Sequence, residues 1–179
     1  MLAWLFGKKG ARREADRVFM TAEAKWRALA TETGVKLVAH FPASRRELQE
    51  WAKAHDRSVS VTLAGELLAP AEPDPNLRVM VIERHPLRER DDKVCEWADA
   101  AAQRITFNVS LDDALLASFA GSIRSVLERL GGHSDEVLHN AMLSRSIAGA
   151  QEKIRSRAVH DLPADSPEAW MRTNVTAER

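Results

Sequence analysis

Residues 77–109 read LRVMVIERHPLRERDDKVCEWADAAAQRITFNV, and this stretch decides the fold. Residues 77–83 form a short apolar run rich in β-branched side chains, the pattern of a buried strand. Residues 104–109, RITFNV, form a second such run. Between them, from Arg88 to about Ala102, apolar residues recur at helical spacing, and Val94, Trp97, Ala98 and Ala101 share one face. A strand, a helix and a strand of these lengths make a βαβ unit, which requires parallel strands in a sheet covered on both faces.

The upstream sequence repeats the alternation. Thr21 is placed to cap a helix whose apolar face is Ala22, Trp26, Leu29 and Ala30, and Gly34 is placed to stop it. VKLVAHF (35–41) is a further buried strand. Ser44 and Glu47 have capping-box spacing and predict a helix start, with Leu48, Trp51 and Ala52 on its buried face. VSVTL (59–63) is another strand, and RVFM (17–20) a fifth. The proline-rich APAEPDPN (69–76) predicts an exposed loop. The expectation is an α/β fold, a RecA-like mainly parallel sheet of about five strands flanked by helices.

After Ser110 the pattern becomes helical. Ser110 and Asp113 predict another N-terminal cap, followed by Leu111, Leu115 and Phe119. A further helical pattern carries Ile123, Val126, Leu127 and Leu130 and stops at Gly131-Gly132. The longest helix is expected from Asp135 to about Val159, with Leu143, Ile147, Ala150, Ile154 and Ala158 in one stripe. That stripe needs a partner surface, either the sheet or another chain. Four regions result: an aromatic and basic segment (1–14), the α/β domain (15–110), a helical extension packed on it (111–160), and a polar tail (161–179) with a turn of helix around Trp170.

Composition removes several functional classes. The 26 basic and 26 acidic side chains cancel, so no global field draws the chain to nucleic acid or an anionic membrane. The single cysteine, Cys95, excludes an internal disulfide and a multi-cysteine metal site, and reads as a small core residue. No apolar stretch is long enough to span a bilayer, so a cytoplasmic location is expected. MLAWLFGKKGARR (1–13) has its apolar residues before its basic ones, the reverse of a signal peptide. It could rest on a membrane surface, or be a frayed terminus or a segment packed on the domain.

The sites for common chemistries are missing from the pattern. There is no G-x-x-x-x-G-K-[ST] loop, no G-x-G-x-x-G after a strand and no G-x-S-x-G. The six histidines lack zinc-site spacing, so no metal or cofactor is expected. His40 reads as a satisfied core or edge histidine. Asp112 and Asp113 are expected in the first turn of a helix, where they complement its dipole. What stands out is the charge block after the strand at 77–83. Glu83, Arg84, His85 and Arg88 either line a ligand site at the sheet's C-terminal edge or form a structural ion-pair cluster. From Arg88 onward the charges at i and i+3 or i+4 read as a solvated helix face.

ERHPLR (83–88), then SLDDALLASFAG (110–121) and LHNAMLSRSIAGAQEKI (138–154), in this order, resemble SecA, the motor ATPase of bacterial preprotein export. In that family an E-R-H segment follows a strand of the second nucleotide-binding domain. An S-L-[ED]-D-x-[LM] helix start comes next, then a scaffold helix with a pattern like M-[VL]-S-[RK]-[AS]-I-x-x-A-Q-x-K-[VI]. Here Met142, Leu143, Ser144, Arg145, Ser146, Ile147, Ala150, Gln151, Lys153 and Ile154 fit it. DRVFMTAEAKWRAL (16–29) is similar to the start of that domain, and the likeness covers residues 16–157. The family's A-G-R-G-T-D run is replaced by LLAPAEPDPN, and its R-G-R-x-G-R-Q-G-D run by CEWADAAAQR. Phosphoryl transfer depends on such positioned cations and a metal.

The resemblance and its departures together imply a catalytically inactive SecA-like accessory domain, a pseudo-ATPase acting as a protein-interaction or regulatory module, with an export link implied by the resemblance. A protein partner would belong to the export machinery, and no nucleic acid partner is expected. Leu143, Ile147 and Ile154 are the candidate interaction helix, which leaves a homo-oligomer open. The alternative is a degenerate nucleotide- or anion-binding domain using Glu83, Arg84 and His85. An enzyme of unrelated chemistry ranks below both, because no nucleophile–base pair stands out.

Overall fold

In the computed structural model, which describes residues 14–68, 76–129, 137–138 and 141–176, six strands form one sheet. Chain order is β1 (Arg17–Phe19), α1 (Ala22–Thr31), β2 (Val35–Ala39), α2 (Pro42–Ala54), β3 (Val61–Leu63), β4 (Arg78–Val81), α3 (Arg88–Ala100), β5 (Arg104–Ser110), α4 (Ala117–Arg129), β6 (Val137–Leu138), α5 (Ala141–Arg155) and α6 (Pro167–Asn174). The spatial order is β3-β2-β4-β5-β1-β6. The first five run parallel, and β6 pairs antiparallel with β1. The five strands read from the sequence are all present.

Period-two alternation sorts the strand side chains onto two faces. Leu37, Ala39, Met80 and Ile82 join Trp26, Leu29 and Leu48 under α1 and α2. Val38, Val79, Val81, Ile105 and Phe107 join Val94 and Ala98 under α3. Half-buried Cys95 packs against this second cluster, as does Trp97. A third cluster gathers Val18, Val109, Leu115, Leu116 and Ile147, with Ile123, Leu138, Leu143, Ala150 and Ile154 against it. The stripe of α5 therefore packs on its own chain.

Helix ends follow local chemistry in some places and tertiary chemistry in others. Thr21 caps α1 through the Ala24 amide, and Gly34 takes φ +63° in the turn that follows, a region costly for other residues. The capping box at Ser44 and Glu47 does not form. α2 starts three residues earlier, with Pro42 at its first position and no side-chain cap from Phe41. The hydroxyl of Ser44 is used elsewhere, as described below. Asp112 and Asp113 do not sit in a helix's first turn: a short 3-10 turn at Ala114–Leu116 separates them from α4.

Downstream, the long helix is shorter than its pattern predicts. Val137 and Leu138 pair with Phe19 and Val18 as strand β6, because the open edge of β1 offers unpaired backbone groups. α5 ends at Arg155, and Ala158 instead forms a bridge with Val175. The segment read as a polar tail is packed: Trp170 on α6 is 1% exposed and lies with Phe41 and Leu87. Residues 1–13, residues 69–75 of the expected loop, Leu130 and Gly131-Gly132 lie outside the described residues, as do the side chains of Phe119, Val126 and Leu127.

Candidate functional site

The crossover β2–α2–β3 leaves β2 in one direction, and β4–α3–β5 leaves β4 in the other. The C-terminal ends of β2 and β4 thus flank the switch point where open α/β sheets hold ligands. The charge block falls there, but Glu83, Arg84 and His85 are buried, at 4%, 4% and 6% exposure.

Glu83 serves the start of α2. One carboxylate oxygen accepts from the amides of His40 (2.8 Å) and Phe41 (3.0 Å), and the other accepts from the Ser44 hydroxyl. These amides lie just before and at the cap position of α2, Phe41, so Glu83 places its carboxylate at the helix start from another strand. Burial pushes Glu83 above the usual carboxylate range, against the opposing pull of Ser44, His40, Lys25 and the Phe41 amide.

Arg84 faces two internal carboxylates. One guanidinium nitrogen donates to Asp91 at 3.0 Å and the other to Asp16. The plane lies 3.6 Å from the centroid of the Phe107 ring. Asp91, in the first turn of α3, is fully buried. It also accepts from the His85 amide (3.0 Å) and from Gln151 on α5 (2.8 Å), and His40 Nε2 lies 2.9 Å from it. Burial opposes its charge, but His40, Arg84 and the His85 amide outweigh this and hold Asp91 below its ordinary pKa. Gln151 donates to the His85 carbonyl as well (2.8 Å), which locks α5 to the turn after β4.

His85 completes the turn. Its Nδ1 accepts from the Leu87 amide at 2.9 Å, so the ring proton sits on Nε2. The ring stacks on Phe41 and meets His40 and Trp170 edge-on. Burial, with His40 adding to it, drives its pKa down to about 3, so the ring is neutral at pH 7. Arg88 does not join this cluster. It is exposed and lies 3.7 Å from Asp92, its i+4 neighbour. The solvated-face reading thus holds for Arg88 and Asp92 and fails for Asp91.

A second ion pair joins buried Lys25 on α1 to half-buried Asp113. Lys25 Nζ donates to both oxygens of Asp113 (2.7 and 3.0 Å) and sits over the Trp26 ring. Asp113 also accepts from the amide and hydroxyl of Ser110. Asp112 accepts from the Ala22 amide at the start of α1 (2.7 Å) and from Arg124. Two cavities open here. One of about 120 Å3 lies over Lys25, Glu83 and Arg84. The other, a cleft of about 550 Å3, has His40 and His85 in its lining, with Leu63, Lys93, Trp97 and Trp170. Among the described residues no three His, Cys, Asp or Glu side chains converge as a metal would need.

Of the residues singled out from the sequence, Glu83, Arg84 and His85 come together, while Leu143, Ile147 and Ile154 line an internal face. Asp16, Asp91, Lys25, Asp113 and Gln151 were missed as parts of the site. The one signal for Gln151 and Lys25 was their position in the family-like patterns. Among the described residues no helix is long and apolar enough to cross a membrane.

No family model matches the chain. It is 34% identical over 113 residues to a protein translocase subunit SecA of Methylibium petroleiphilum, covering 60% of this chain and 11% of that protein. A SecA of Delftia acidovorans is 36% identical over 86 residues, 45% of this chain and 9% of the relative. A SecA of Paraburkholderia xenovorans is 34% identical over 122 residues, 63% and 11%. The chain spans about a tenth of the length of these curated relatives. It carries a SecA-like domain, as the motifs at residues 83–88, 110–121 and 138–154 imply.

Proposed function

We propose that this chain is a SecA-like domain that does not hydrolyse ATP and acts as a protein-interaction or regulatory module linked to protein export. The export link comes from the relatives, each a protein translocase subunit. The inert reading is carried by Arg84. Its guanidinium is committed to Asp16 and Asp91 below the surface. A phosphate reaching it would have to displace a buried carboxylate, leaving that charge without its partner, and such an exchange is strongly unfavourable. The sheet edge behaves as a structural ion-pair cluster rather than a nucleotide cradle, which also weighs against the degenerate anion-binding alternative.

The test is calorimetric titration of the full chain with ATP and magnesium, paired with a phosphate-release assay. No heat of specific binding up to millimolar nucleotide and no turnover is expected. Micromolar binding with phosphate release would overturn the reading.

A further inference from the structure

The chain beyond α5 is held on the sheet edge as a ligand would be. It first satisfies itself. Ala158 pairs with Val175, the Val159 amide donates to the Asn174 carbonyl (2.9 Å), and the Thr176 amide to the Arg157 carbonyl (3.1 Å). Asn174 is fully buried inside this segment; it donates to the carbonyls of Leu162 and Trp170 and accepts from the Leu162 amide. At its junction with α5 the Arg157 and Ala158 amides still donate to the Ile154 carbonyl (3.0 and 2.9 Å); past that junction, among the described residues, the backbone link from segment to body is the Ala43 amide donating to the Asp165 carbonyl (2.9 Å). A segment with its own internal bonds and so slight a backbone attachment can leave as a unit.

Side chains hold it in place. Trp170 fills a pocket formed by Phe41, Leu87 and the edge of His85. Two carboxylates of the segment that precede Trp170 in sequence meet arginines of the body at the surface. Asp161 accepts from Arg90, at 2.8 Å from Nε, and Asp165 accepts from Arg46, at 3.1 and 2.6 Å. The Ala43 amide lies in the first turn of α2, so the Asp165 carbonyl takes the place of an incoming acceptor. The segment also forms one wall of the 550 Å3 cleft, where exposed Lys93 adds a further positive charge.

We propose that residues 157–176 are the resident occupant of a peptide-binding site on this sheet edge, and that a partner displaces them with an acidic segment bearing one aromatic side chain. This rests on the interaction-module reading and names its surface. The occupant's chemistry follows from complementarity: two arginines that receive carboxylates and an aromatic-lined pocket that receives Trp170. Such an aromatic anchor in a desolvated pocket with charged contacts at its rim is how protein interfaces concentrate affinity.

The test uses a fluorescein-labelled peptide of residues 157–176 and fluorescence anisotropy with the full chain. Removing the clasp by Asp161→Asn with Asp165→Ala strips both carboxylate charges and keeps an acceptor for the Trp170 indole, which donates to Asp161 at 3.1 Å. This double variant should bind the peptide at least tenfold tighter than wild type, and adding Arg46→Glu and Arg90→Glu should reverse the gain. A natively folded double variant that binds no better than wild type overturns the proposal. Sedimentation of the same variant gives a second check: a concentration-dependent dimer would make a second copy the occupant, which also overturns it. In the wild type, hydrogen exchange should open the segment's amides before those of β4 and β5; exchange only with global unfolding counts against it. A failed peptide result leaves the ATP titration standing, and ATP turnover would sink the non-hydrolysing reading without touching the peptide result.

Discussion

Replacing Arg84 by alanine separates a structural arginine from a ligand-binding one. In the structure the side chain is 2% exposed and pairs with Asp16 and Asp91, themselves 2% and 0% exposed. Its removal does not affect them equally. Asp91 keeps His40, the His85 amide and Gln151. Asp16 loses its charged partner, and its second carboxylate oxygen already has none. Breaking a buried pair in this way costs about 3–5 kcal/mol, which at this chain length lowers Tm by roughly 6–20 °C. In urea, with a slope of about 2 kcal/mol/M, the midpoint should fall by about 2 M. Because the penalty is an orphaned charge, Asp16→Asn in the Arg84→Ala background should recover part of it, a coupling on the order of 1–3 kcal/mol. An Arg84→Ala chain that unfolds within about 0.5 kcal/mol of wild type would refute the reasoning and return Arg84 to the role of ligand group.

Three further outcomes follow from the same geometry. Glu83→Ala orphans two amides and the Ser44 hydroxyl and should cost about 3 kcal/mol, whereas Ser44→Ala should cost about 1 kcal/mol, both read by urea denaturation. Trp170→Ala should cost about 3–5 kcal/mol, the value for a core tryptophan rather than for a residue on a solvated tail. His85 has a folded pKa of about 3 against an ordinary 6.5, so between these values the unfolded chain binds the extra proton. Its contribution is complete above pH 6.5 and is lost as pH falls toward 3, at up to about 1.4 kcal/mol per pH unit. Glu83, raised by burial, works in the opposite sense: its folded form holds a proton more readily, so its contribution declines as pH rises through the folded pKa. Comparing His85→Gln with wild type by thermal denaturation at several pH values isolates the histidine; equal acid slopes in the two chains would contradict its buried neutral state.

What could be read from the sequence was whatever local chemistry determines. The strands were legible because Val35–Ala39, Arg78–Val81 and Arg104–Ser110 are dense in β-branched and apolar residues, and Thr21 because its cap is satisfied three residues away. Ser44 misled because capping-box spacing is a local signal, whereas the group that serves the start of α2 arrives from Glu83, 39 residues from Ser44. β6 escaped notice because it has two residues and exists through pairing with β1. Asp91 escaped because its neighbours Arg88 and Asp92 are a solvated i, i+4 pair. Only the arrival of Gln151 from α5 and His40 from the end of β2 makes its position an interior one. Arg84 could be named from the sequence, but the direction of its side chain depends on Asp16, 68 residues away.

These non-local partners bear directly on what the sheet edge can hold. The C-terminal edge of an open α/β sheet attracts anions because helix starts converge there with their amides unpaired. In this chain its own carboxylates meet those demands. Glu83 answers the start of α2, and Asp112 the start of α1. Asp113 neutralises Lys25, and Asp16 and Asp91 neutralise Arg84. An incoming phosphate would add charge beside carboxylates that already occupy the donors, with repulsion strengthened by the low local dielectric. The pairs around Trp170 differ because they are exposed: Arg46 with Asp165 and Arg90 with Asp161. Surface pairs of this kind are worth little individually and exchange partners readily. On the function proposed above, the donors at the sheet edge stay with the chain's own carboxylates, and the exposed rim is the place to test the exchange of one acidic segment for another.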